Sequence, residues 1–229
     1  MINKLQFFGC SFTEVETSPT GHEFESHRNL ITKNTGIPHI SHAVTGKSNQ
    51  HIINDVYLAS KKDLNNDSIY VIQYTFFNRL GMYSDMGEDR FISMCRTELN
   101  ENDIDDKPIV EFYKQWLKYF YSRKTSVLEF EKQVNLISNW LHYKKIPFIS
   151  FGYDFDMNLF SKSFYNRNNF IQFQDTYSLY QKMLEKKLRI TDMGPIEEFN
   201  DEHLNKEGHQ YLATYLTTKI NSLRQNYTY

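Results

Sequence analysis

Two short segments at opposite ends of the chain carry side chains able to work together as a nucleophile and its base. The first is Gly9-Cys10-Ser11-Phe12-Thr13, directly after an apolar run. The second is Asp201-Glu202-His203-Leu204-Asn205, directly before a segment of helical period. A serine hydroxyl is a weak nucleophile at neutral pH until a neighbouring imidazole accepts its proton. The imidazole in turn needs an acid or an amide to fix its tautomer and orientation. Ser11, His203 and Asp201 supply these groups, and the chemistry they point to is acyl transfer through a covalent intermediate. Each residue also has an ordinary structural use: serine in a turn, Asn205 as a helix cap, Asp201 as a partner for the helix dipole. His209, one turn into the last helix, is assigned a packing role.

Other chemistries find less support. The chain has 26 Lys and Arg against 28 Asp and Glu, a formal net charge of −2, and no long basic run. The concentrated positive surface that nucleic acid requires is not advertised. Two cysteines, Cys10 and Cys95, make no disulfide framework. His22, His27, His39, His42, His51 and His142 have no acidic or cysteine neighbours at ligand spacing, so no metal or other cofactor is expected. His39 and His42, three apart in an extended run, are expected to face opposite sides. Gly46-Lys47-Ser48 has the ending of a phosphate-binding loop, but Ser41 stands where that loop needs its first glycine. Arg79 and Arg90 are candidates for holding an anionic substrate.

The elements that must position these residues follow from the hydrophobic pattern. Apolar runs alternate with helix-period segments, the mark of a parallel sheet covered by helices. Strands are expected at Leu5-Gln6-Phe7-Phe8, within residues 37–44, at Ile69 to Tyr74, at Ile146 to Phe151, and briefly at Phe170 to Phe173. Asn49 is expected to cap a helix carrying Ile52, Ile53, Val56 and Tyr57. Helices are also expected from Pro108 to Phe120, across Val127, Phe130, Val134, Ile137 and Leu141, and from Lys206 to Leu223. Leu80 to Lys107 reads as a polar, irregular insertion within one domain spanning 1–229. The fold expected is a three-layer α/β/α sandwich with a flavodoxin-like parallel sheet, whose ligands sit beyond the carboxyl ends of the strands. The start of the chain runs straight into a strand, and no apolar stretch approaches ~18 residues. A soluble, cytoplasmic protein without membrane contact is the expectation.

Taken in order, three blocks resemble those of the SGNH (GDSL-like) hydrolases. Gly9-Cys10-Ser11-Phe12-Thr13 is similar to the family's Gly-Asp-Ser-like turn, in a Gly-Cys-Ser-Phe-Thr variant. Val44-Thr45-Gly46-Lys47-Ser48-Asn49 is similar to the second block, and Asp201 to Asn205 with Gly208-His209 to the last. The resemblance implies Ser11 as nucleophile, His203 as base, and an oxyanion hole from the backbone N–H groups of Ser11 and Gly46. The third block, which brings an Asn side chain in a glycine context, meets Thr75-Phe76-Phe77-Asn78-Arg79, where no glycine stands. Asn78 is nearest the expected place, with Gln73 and Thr75 as alternative donors. Val15 replaces a glycine common in relatives. Relatives also place the acid three residues before the histidine, where this chain has Asn200; Asp201 is two before, and Glu197 and Glu198 are more distant. A carboxylate both fixes the tautomer and stabilises the imidazolium, which favours Asp201. The function implied is that of a serine esterase acting on small acyl, above all acetyl, esters, including those on carbohydrate. The alternatives are an acyltransferase using the same triad and a degenerate protein that only binds a small molecule or glycan.

Overall fold

The computed structural model describes residues 2–14, 24–77, 79–84, 90–94, 107–153, 159–193 and 203–226. Four strands, β1 (Lys4–Phe8), β2 (His39–Ser41), β3 (Ser68–Tyr74) and, later in the chain, β6 (Phe148–Gly152), form one sheet in the order β2-β1-β3-β6. All pairings in it are parallel, with Phe8 opposite Ile72 and Gln73 opposite Phe151. A parallel sheet covered on both faces needs strands that are apolar on both sides. That is why every residue of β3 is buried and why the run from Ile69 to Tyr74 is so plain in the sequence.

Side chains alternate across the sheet and so sort into two cores. Leu5, Phe7, Ile69, Val71, Ile149 and Phe151 point to one face. There they meet Ile31 of α2 (His27–Thr35), Met183 of α7 (Leu179–Lys186) and Leu212, Leu216 and Ile220 of α8 (Lys206–Asn226). Phe8, Tyr70, Ile72, Tyr74 and Phe148 point to the other. They meet Ile52 and Val56 of α3 (Asn49–Lys62), Val134 and Leu141 of α5 (Arg123–Tyr143), and Phe164 of α6 (Lys162–Arg167). The result is the expected three-layer sandwich. The chain leaves β1 toward β2 on one side and returns past it to β3 on the other. The crevice between the carboxyl ends of β1 and β3 is therefore the topological switch point, where open α/β sheets bind ligands.

Several local expectations shift. Ser48, not Asn49, occupies the cap position of α3, and its hydroxyl pairs with His51 Nδ1 at 2.9 Å instead of capping. Tyr57 lies exposed rather than on the inner face. Phe170 to Phe173 makes only isolated bridges, Phe170 to Ser150 and Phe173 to Thr176, and no strand. Within the segment read as irregular, β4 (Leu80–Ser84) and β5 (Arg90–Met94) pair antiparallel, and α4 (Lys107–Tyr119) follows. These two strands pair with each other and not with the main sheet, so they need no apolar run to form. Among the described residues no helix is long and apolar enough to cross a membrane.

Candidate active site

Ser11 opens the four-residue helix α1 (Ser11–Glu14), one tight turn past the end of β1. The turn is closed by the Thr13 N–H donating to the Cys10 carbonyl at 2.9 Å. It also demands glycine at position 9. A Cβ there would lie 2.6 Å from Thr13 Oγ1 and 2.8 Å from Gln73 Oε1. The serine is tucked into the crevice instead of being displayed on the surface, with only 6% of it exposed.

The Gly46 segment comes alongside this turn. Val44 N–H donates to the Gly9 carbonyl and Lys47 N–H to the Val44 carbonyl, both at 3.3 Å. Gly46 holds φ 81° at the third position of that turn, the type II geometry in which glycine avoids a Cβ clash. Lys47 is committed elsewhere: its ammonium donates to the His42 carbonyl at 2.8 Å and to the Asp55 carboxylate. This disposes of the phosphate-loop reading, in which that lysine would face a ligand. The residues after β3 are fastened to the same segment. Asn49 Oδ1 accepts from the Thr75 N–H at 2.7 Å and its Nδ2 donates to the Thr75 carbonyl at 3.0 Å. Arg79 Nη1 donates to the Lys47 carbonyl at 3.3 Å, with its guanidinium over the Phe76 ring.

His203 sits in the loop that leads into α8. Its carbonyl accepts from the Ile190 N–H at 2.9 Å, and Asn205 N–H donates to the Leu188 carbonyl at 2.9 Å. Asn205 is the helix cap expected of it: Oδ1 accepts from the Gly208 N–H at 2.8 Å. Its amide nitrogen adds donors to the Lys187 and Arg189 carbonyls, at 3.2 and 3.1 Å. Gly208 is forced by packing, since a Cβ would lie 2.5 Å from the Leu188 carbonyl oxygen. His209 then stacks on His27, the first residue of α2, with ring centroids 5.5 Å apart. Its Nδ1 faces both His27 Nδ1 and the His27 N–H at 3.3 Å. Burial lowers the His209 pKa to about 4, helped by the charges of His203 and Arg28. Burial, then the neighbouring His209, pushes His27 well below the usual histidine range. His209 is thus buried and packed against His27.

These contacts fix where the His203 loop lies relative to the sheet. Helix α2 runs from the carboxyl edge of the sheet back toward the start of β2, so its first residue, His27, marks that edge. The contact between His27 and His209 puts the beginning of α8, and the His203 loop before it, at the same edge. Cys10, the residue before Ser11, and Leu204, the residue after His203, belong to one apolar core. Ser11, Gly46 and His203 thus share the carboxyl edge, near the switch point. Asp201, Asn200, Glu197, Glu198, Val15 and Asn78 lie outside the described residues. Of the alternative oxyanion donors, Gln73 is taken up with Thr13 and Cys10. Thr75 keeps a buried hydroxyl with no partner among the described residues. The described residues hold no cluster of His, Cys, Asp or Glu fit for a metal ion. His39 and His42 do face opposite sides, His39 against Phe7 and His42 stacked on Phe8. Sequence reasoning missed the clasp formed by Asn49 and the one formed by Gln73. For the second a signal existed: a glutamine inside the apolar run from Ile69 to Tyr74.

No family model matches the chain, and neither does any curated protein. Among solved structures, a variant of an acetyl-xylooligosaccharide esterase from Geobacillus is similar over 95% of this chain and 94% of its own. The identity is 11% and the TM-score 0.51, which is a likeness of fold. A catalytic mutant of an acetylxylan esterase from Geobacillus stearothermophilus aligns at 13% identity and TM-score 0.48, over 95% and 94% of the two chains. A GDSL-like lipase from Parabacteroides merdae aligns at 9% identity and TM-score 0.47, over 94% of each.

Proposed function

We propose that the chain is a serine esterase of the SGNH type, hydrolysing small acyl esters by way of an acyl-enzyme on Ser11. The observation that supports this reading is that the residues flanking Ser11 and His203, Cys10 and Leu204, join one apolar core although 192 residues separate the serine from the histidine. In the proposed cycle, His203 takes the Ser11 hydroxyl proton as Oγ attacks the ester carbonyl. The resulting oxyanion is held by the N–H groups of Ser11 and Gly46 and by a side chain following β3, Asn78 or else Thr75. The intermediate collapses, and His203 gives its proton to the departing alcohol. Water then attacks the acyl-enzyme with His203 again as base, releasing the acid and restoring Ser11. Asp201 orients the imidazole and stabilises its charged form.

The crevice sits on a fold shared with an esterase named for acetylated xylo-oligosaccharides, which supports acetyl groups on carbohydrate as the first substrates to try. The test pairs a fluorophosphonate probe with aryl acetates and acetylated xylo-oligosaccharides. Wild type should be labelled and should release acetate, while Ser11→Ala should do neither. Labelling that survives Ser11→Ala would sink the assignment. Acetate passed on to an added sugar in preference to water would redirect it to an acyltransferase.

A further inference from the structure

Gln73 is the last polar residue of β3 before Tyr74, fully buried, one position beyond the Phe8–Ile72 pair and hence beside Gly9. Both ends of its amide are used, and both on the turn that carries Ser11. Thr13 Oγ1 donates to Gln73 Oε1, and Gln73 Nε2 donates to Cys10 Sγ at 3.6 Å. These two partners stand one residue before and two residues after the serine, and both are buried. Gly9 supplies the clearance, since a Cβ there would meet both Thr13 Oγ1 and Gln73 Oε1. A buried amide must find partners or leave costly unpaired groups. Here the partners that satisfy it are the ones that fix the nucleophile turn to the central strand.

From this geometry we infer that Gln73 is a positioning residue for Ser11, setting where its hydroxyl stands relative to His203. The inference rests on the esterase reading above. Gln73 touches no reacting atom; its amide acts through Thr13 and Cys10. It is therefore not an oxyanion donor, a role that would turn the same amide toward substrate. A purely structural glutamine would cost stability when lost, but not turnover in molecules that remain folded. A positioning one costs turnover, because misplacing a reacting group by about 1 Å is enough to cost roughly 100-fold.

The test uses the full chain and three readouts at one temperature well below melting. These are kcat and KM on an aryl acetate, the second-order rate of fluorophosphonate labelling, and Tm. Thr13→Val removes the hydroxyl at nearly constant shape, and kcat and the labelling rate should both fall about 10- to 100-fold with KM little changed. Thr13→Ser restores the hydroxyl and should recover most of that loss even if its Tm stays low. Should Thr13→Val fail to fold, Cys10→Ala, which removes the acceptor of the amide N–H, should show the same split to a lesser degree. Wild-type kcat in a folded Thr13→Val with lowered Tm overturns the inference, as does a Thr13→Ser as slow as Thr13→Val. In either case a reactive wild type leaves the esterase reading standing. A wild type that neither hydrolyses nor labels overturns both.

Discussion

At the scale of single residues, the nucleophile and base of the proposed esterase would act as a unit, so their removal is not additive. Ser11→Ala and His203→Ala are each expected to lower turnover by several orders of magnitude, to the residual rate that the oxyanion hole and binding supply alone. The double variant should be no worse than the singles, and a further loss on combining them, measured with one aryl acetate, would mean that the two work independently. The candidates stood out in the sequence because their chemistry is tied to residue type: a serine, a histidine and a polar orienting group in that order suit the proposed task. Their supporting contacts were not legible. Gln73 and Asn49 hold partners 60 and 26 residues away, and no periodicity links positions so far apart. Asn49 also looked like a helix cap, which is the commoner use of asparagine at such a place.

At the scale of elements, the loops around the crevice are stapled by side chains to backbone. Asn49 pairs with the backbone N–H and carbonyl of Thr75 much as a neighbouring strand would, at a place where β3 has run out of strand partners. Asn49→Ala leaves those buried groups unpaired, at a cost of about 1–3 kcal/mol. Chemical denaturation should show that loss, accompanied by lower turnover as the segment after β3 slackens. Gly208 makes a comparable demand on the other side of the crevice. Gly208→Ala drives a methyl group into the Leu188 carbonyl and should destabilise by ~1–3 kcal/mol through overpacking. Because the displaced carbonyl belongs to the segment that holds the His203 loop, kcat should fall as well; a stable, fully active Gly208→Ala would show that this loop is held by other means. Strands β1, β3 and β6 were readable since burial on both faces leaves a continuous apolar run. The β4–β5 pair was not, because its pairing is confined to two strands.

At the scale of the whole molecule, buried neutral histidines couple stability to pH. His27, His51 and His209 all have lowered pKa values, first of all through burial, with His51 and His209 at about 4. In the unfolded chain the same groups take up protons near 6.5. Their contribution to stability is therefore complete above about pH 6.5 and is lost progressively as pH falls toward 4, where the native state begins to bind protons too. Tm should fall across this window, and His209→Gln should flatten the acid slope while lowering Tm at neutral pH. An unchanged slope would show that His209 does not stay neutral in the fold.

In the esterase proposed above, the reliance of residue 11 on residue 203 has a consequence for the life of each molecule. During synthesis, β1, β2, β3 and β6 all leave the ribosome before the histidine does, so a chain stopped at residue 200 has the whole main sheet and no base. Such a fragment should be silent toward both probe and ester. Loop closure over so long a span is also among the slower steps of folding. Under that proposal activity arrives last and all at once, and an active molecule is one in which both end segments have folded.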